Sequence, residues 1–300
     1  MWDALVDRVF APKPIARLVI VRILAPLAIL GFMSHRIIHA SDWLSDAGFR
    51  VPTDVWDWRQ PLPIPGVPVW AAWSLALAFL LSGLATAVGL FTRWSASIFA
   101  ALAIYVALAD RLAAFTVSKL APMIGIALAL TPSGVVGSFD AWRAKAKDLP
   151  TRVSGGCVSF FQIFLPVFYF SSGIAKAKGA WWGDNWYVLW THVHDSYQTH
   201  FSYWLAGVMP TWMWPVLQVT VLVYELGSPI WFALPWTRTP ALIYGLGMHL
   251  MIGLMFGPVI WFSVLMMTLL VASYAPMKYL ERIPFIKRIN DGQPSFAVGK

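Results

Sequence analysis

Four long stretches of this chain carry no charged side chain: Gln60 to Thr92, Leu120 to Phe139, Val153 to Ala175 and Thr239 to Met277. A bilayer core is about 30 Å thick, so a spanning helix needs about 20 mostly apolar residues. The first three stretches each hold one such helix. The fourth has room for two, and Gly257-Pro258 at its middle predicts a tight helical hairpin. Only 12% of the 300 residues are charged, about half the ~25% usual for soluble chains. A soluble core rarely needs several such runs. The expected fold class is therefore all-α, a polytopic transmembrane bundle whose first partner is the lipid bilayer.

Eight spans are predicted, near residues 15–35, 68–91, 94–110, 117–134, 157–176, 212–235, 239–257 and 259–276. With the N-terminus inside, thirteen Lys and Arg fall in inside segments and seven in outside segments. Cytoplasmic loops carry such an excess, so both termini are expected in the cytoplasm. The same sorting accounts for the net charge of +8 without nucleic acid. The single cysteine, Cys157, allows no intrachain disulfide. Tryptophans gather near span ends (Trp70, Trp73, Trp94, Trp181, Trp182, Trp212, Trp214) as an interfacial belt would. No internal repeat or second domain is legible. Residues 1–300 read as one transmembrane domain, with a short cytoplasmic tail over 277–300.

The outside segment 177–211 carries Trp186, Leu189, Trp190, Val193, Tyr197, Phe201 and Trp204 at steps of three and four. That spacing predicts an amphipathic helix in the outer interface, with His192, Asp195, Ser196 and Thr199 on its other face. His192, His194, Asp195 and His200 match no strong metal motif, and no metal site is expected.

Ionisable groups within spans are costly and are functional candidates by default. Arg22, Lys176, Glu225 and His249 are the four here. Glu225 and His249 each lie ten residues from the inner ends of spans six and seven, about 15 Å deep at 1.5 Å per residue. Arg22 lies about 10 Å in from the same side. A Glu225–His249 or Glu225–Arg22 pair is the resulting expectation, either fixing helix packing or relaying protons. Lys176 closes span five after Ser171, Ser172 and Gly173, small residues that allow close helix approach. By position alone it reads as a snorkelling anchor. The chemical reading is a desolvated amine acting as a base. The chain has no phosphate loop, nucleophile elbow or H-E-x-x-H.

Tyr169-x-x-x-Gly173-x-x-Lys176, followed by Trp181-Trp182-Gly183, resembles the most diagnostic stretch of the horizontally transferred transmembrane (HTTM) family. That family takes in the membrane part of vitamin K-dependent gamma-carboxylase. Further likenesses run in the family's order. Thr131-Pro132-x-Gly134 with Gly137-Ser138-Phe139-Asp140 is similar to its P-x-G…S-L-D segment, and Glu225-Leu226-Gly227-Ser228-Pro229 to its E-x-x-x-P helix. His249 resembles the histidine of a later helix, and Arg22 an arginine often present in the first. The resemblance covers most of residues 15–276.

The resemblance implies a carboxylase-like membrane enzyme. In it Lys176 would be the base that deprotonates a reduced, vitamin K-like quinone. Glu225 and His249 would complete the catalytic set, and Tyr169, Gly173, Trp181 and Arg22 would lie by the cofactor. The short form is similar to bacterial members of the sporulation-delaying protein B type. That likeness implies a bacterial inner membrane and an exported peptide or lipidic substrate. One departure is clear: where the carboxylase carries a histidine near its fourth span, this chain reads Thr116-Val117-Ser118-Lys119. A non-enzymatic transporter or proton-coupled carrier is the alternative, with Glu225 and His249 as relay and Lys176 as anchor.

Overall fold

A computed structural model describes residues 6–293, apart from 8, 50–61, 63, 111–114, 146–148, 180, 184–185 and 196. Of the residues in the charge and amphipathic readings, Arg8, Arg50, Arg59, Arg111, Lys147, Ser196 and Lys300 lie outside the described residues. The chain gathers into two units, residues 1–157 with 280–300, and residues 158–279.

The helices of the first unit are α1 (Ala16–Ile38), α2 (Ala40–Leu44), α3 (Val69–Val88), α4 (Thr92–Ala109), α5 (Thr116–Leu130) and α6 (Phe139–Arg143). Then follow α7 (Gly155–Lys178), α8 (Val188–Val193), α9 (His200–Val208), α10 (Met213–Ala233), α11 (Pro235–Met255) and α12 (Ile260–Tyr274). Two short helices close the described chain, α13 (Met277–Leu280) and α14 (Pro284–Asn290). A helix stands at each of the eight expected span positions. Among the described residues six segments are long and apolar enough to cross a membrane: α1, α3, α4, α7, α10 and Gly257–Tyr274. α5 is apolar but only 15 residues long. The expected hairpin forms at a 3-10 turn over Gly257–Val259, with α11 packed on α12.

In the first unit α1 packs on α3 and α5, and α4 packs on both of those. The faces of α3 are inverted relative to a soluble helix. Ala72, Ala76, Gly83 and Ala87 are buried, whereas Leu77, Leu81, Leu84 and Val88 are exposed. Small residues let helices approach, and large apolar ones are left for lipid. α3 ends at Gly89, whose φ of 74° is left-handed. A Cβ there would also fall 2.4 Å from Ser138 Cβ.

α4 begins with no side-chain cap of its own. Asp140, in α6, supplies one. Its Oδ1 accepts from the Phe91 N–H at 2.9 Å, and its Oδ2 from the Thr92 N–H at 2.8 Å and the Thr92 hydroxyl at 3.0 Å. Burial pushes the Asp140 carboxyl up. The Thr92 and Phe91 amides, the Thr92 hydroxyl and Arg143 outweigh it, and the carboxyl titrates below its ordinary value. Arg22, buried in α1, donates from Nη1 to the Ser133 carbonyl at 2.8 Å and the Val136 carbonyl at 3.0 Å, and from Nη2 to that of Gly137. The segment read as P-x-G…S-L-D is thus a turn whose backbone and side chains knit α1, α3 and α4 together.

The segment expected as a tail is partly folded. Ile286 and Ile289 of α14 are buried, and α14 packs against α1.

In the second unit, prolines inside helices free carbonyls that then join helices. Pro166 has no N–H for the Gln162 carbonyl, and the Tyr274 hydroxyl donates there instead. Gln162 Nε2 donates to the Ser273 carbonyl at 2.7 Å. Pro229 likewise leaves the Glu225 carbonyl without an amide. The Ser228 hydroxyl is 2.7 Å from that oxygen and 2.8 Å from the Pro166 carbonyl.

The predicted amphipathic helix is two helices, α8 and α9. Thr199 starts the second through a capping box, accepting from the Ser202 N–H while Ser202 Oγ accepts from the Thr199 N–H. The Thr199 hydroxyl also reaches the Leu254 carbonyl at 2.7 Å. A capping signal ended the pattern that periodicity alone would have continued.

Candidate functional site

The candidate site lies in the second unit, where α7 meets α10. Close approach there depends on Gly173: a Cβ would fall 2.9 Å from the Leu226 backbone nitrogen. One turn further along α7, Lys176 Nζ donates to Glu225 Oε1 at 2.5 Å and Oε2 at 2.6 Å, and to Ser172 Oγ at 2.8 Å. The side chains are 24% exposed for Lys176 and 7% for Glu225. The centre of the Trp181 ring is 5.3 Å from Nζ, a distance at which an indole face attracts a cation.

Lys176 is near the end of α7, yet its partner is in the interior of α10, which runs from Met213 to Ala233. From Glu225 it is about 18 Å to one end of that helix and about 12 Å to the other, at 1.5 Å per residue. The amine is therefore held by an interior carboxylate, and its place at a helix end does not make it a free anchor. The expected Glu225–His249 and Glu225–Arg22 pairs are replaced. Glu225 pairs with Lys176, and Arg22 binds backbone carbonyls of the first unit.

His249 is buried and has its own partner, with Nε2 2.7 Å from the Tyr169 hydroxyl. Its Nδ1 is buried without a hydrogen-bond partner among the described residues. Tyr169 stands seven residues before Lys176, two turns along the same face of α7. Its ring packs edge-on against Tyr224 with centroids 5.3 Å apart, and Tyr224 packs against Tyr244 at 4.8 Å. Tyr224 and Tyr244 in turn line an apolar groove of about 470 Å³ between α10 and α11, walled also by Trp231 and Trp236. Thr220 and Thr237 are its polar points, and the Tyr244 hydroxyl donates to Thr220 Oγ1 at 2.9 Å.

Of the residues singled out in the sequence, Lys176, Glu225, Gly173 and Trp181 come together, and Tyr169 and His249 form a second pair. Two contributors had been passed over. Gln218, fully buried on α10, donates from Nε2 to the Trp181 carbonyl at 3.0 Å and accepts at Oε1 from the Leu189 N–H at 3.0 Å. It is an amide within an apolar span, seven residues before Glu225 and so on the same face, and that spacing was available in the sequence. Tyr224 follows no such rule, because an aromatic residue in a membrane helix is ordinary. The rings of His192 and His194 each bond the carbonyl four residues back, at 2.7 and 2.8 Å.

Comparison with curated proteins and with solved structures returns no match. The HTTM domain matches residues 10–275, which takes in the site and all the long helices described. With six segments long and apolar enough to cross a membrane, the chain is an integral membrane protein belonging to the HTTM family.

Proposed function

We propose that this protein is a quinol-dependent enzyme of carboxylase-like type, with Lys176 as its base. The substrate would be an exported peptide or a lipidic molecule, and the setting a bacterial inner membrane. The carrying observation is the grip on Lys176 Nζ: two carboxylate oxygens of Glu225 and one hydroxyl of Ser172, beneath an indole ring. A base must accept a proton and then tolerate the charge. Lys176 Nζ would take the proton of an acidic hydroxyl presented to it, and Glu225 would hold the resulting ammonium. Passing a proton from Nζ to a carboxylate oxygen would leave amine and acid, the form that can act as base.

The groove suits the flat apolar ring of a reduced quinone; Lys176 and Glu225 are not among its lining residues, so the hydroxyl would have to reach Nζ past Tyr224. The groove walled by Tyr224, Trp231, Trp236 and Tyr244 is apolar and has aromatic faces for a flat ring; the Thr220 and Thr237 hydroxyls on its wall donate to the Leu217 and Trp231 carbonyls. A lipid-soluble molecule can reach such a groove between helices from the bilayer. Bound, a quinol would supply the acidic hydroxyl and the reducing power. Tyr169 and His249 would fix polarity behind the Tyr224 ring.

The carrier reading needs Glu225 and His249 as relay partners, and each has a different partner here. The test is aerobic quinol consumption by purified protein in detergent. Wild type should consume reduced naphthoquinone and Lys176→Met should not. If wild type consumes none while Glu225-dependent proton flux appears in liposomes, the carrier replaces the enzyme.

A further inference from the structure

We infer that Gln218 is a positioning residue that clamps Trp181 over the Lys176 amine and so sets how freely water and solutes reach it. This rests on Lys176 being the reactive amine of the site. Three donors of Nζ point at Glu225 and Ser172, and the Trp181 ring covers the amine at 5.3 Å. Access to Nζ thus depends on where that ring is held.

Trp181 follows the end of α7, and no helix fixes its backbone. Gln218 does. Its amide ties Trp181, in the segment between α7 and α8, to the first turn of α8: it holds the Trp181 carbonyl and the Leu189 N–H at once, each at 3.0 Å. Satisfying one carbonyl and one amide with a single side chain takes a carboxamide, which has both donor and acceptor. The side chain is fully buried, so the two bonds do not compete with water. Gln218 and Glu225 are seven residues apart on one face of α10, about 10 Å along the axis. One helix face therefore carries both groups that arrange the amine: Glu225 grips it, and Gln218 holds its cover.

The test is acylation of full-length protein in detergent with a small water-soluble amine reagent, read by mass spectrometry. The exposed neighbour Lys178 is the internal reference. Gln218→Met keeps the length of the side chain and removes both bonds. It should raise the Lys176-to-Lys178 labelling ratio roughly two- to fivefold, the change that corresponds to losing one cation–π contact. Trp181→Ala should raise it equally, the double variant should add nothing, and Trp181→Phe should stay near wild type. Gln218→Asn, which keeps both polar groups on a shorter stem, should fall between and serves if the Met variant does not fold. An unchanged ratio in the Gln218 variants, with only a lower melting temperature, would make Gln218 a plain brace and overturn the clamp. A rise in Trp181→Ala alone would overturn it too. Failure of the base reading would appear separately, as quinol consumption surviving Lys176→Met.

Discussion

Lys176 and Glu225 illustrate how an ion pair inside an apolar bundle is held. Each charge is costly alone, and breaking a buried pair by removing one partner typically costs about 3–5 kcal/mol. Lys176 remains partly exposed, so Lys176→Met is expected to fall at or just below the lower end of that range, about 2–3 kcal/mol. Lys176→Met with Glu225→Gln should cost less than the two single changes added, with a coupling of about 1–3 kcal/mol. Unfolding of the four species in detergent measures this, and strict additivity would mean the pair is not formed in solution. Tyr169→Phe removes the hydroxyl bonded to His249 and leaves a second buried ring nitrogen unpaired, so a loss of about 1–3 kcal/mol is expected in the same assay.

Between elements, the connection from α3 to α4 shows how distant sequence completes a helix. α4 has no cap at Phe91, and Asp140 provides it from α6. Asp140→Ala should destabilise by about 1–2 kcal/mol. The folded state holds this carboxyl below its ordinary value of 3.8. Its contribution is therefore complete above that value and is lost as pH falls through the lower, folded value. Asp140→Asn should flatten the acid limb of a melting-temperature profile, and an unaltered limb would remove Asp140 from the account. Gly89→Ala should also destabilise, because it places a Cβ at positive φ and against Ser138.

For the whole molecule, the sorting of Lys and Arg predicts a direction across the membrane. In a Cys157→Ser background, single cysteines at Tyr203 and Arg143, both exposed, can be challenged in intact cells with an impermeant thiol reagent. Tyr203 should label and Arg143 should not. The opposite pattern would invert the orientation, and labelling of both would break the eight-span reading.

What the sequence determined alone was the class of fold and the run of helices. Charge-free stretches about 20 residues long have one physical solution in a bilayer, because backbone groups must bond within the segment. The motif order also placed Lys176, Glu225 and His249 among the candidates. Pairing was decided only by tertiary structure. Depth along a helix cannot say which face meets which neighbour, so Glu225 was as open to His249 or Arg22 as to Lys176. The close approach at Gly173 brings the end of α7 against the interior of α10 and settles it. Asp140 and Gln218 show the same limit: each satisfies backbone groups far along the chain, and such partners exist only once the helices have packed.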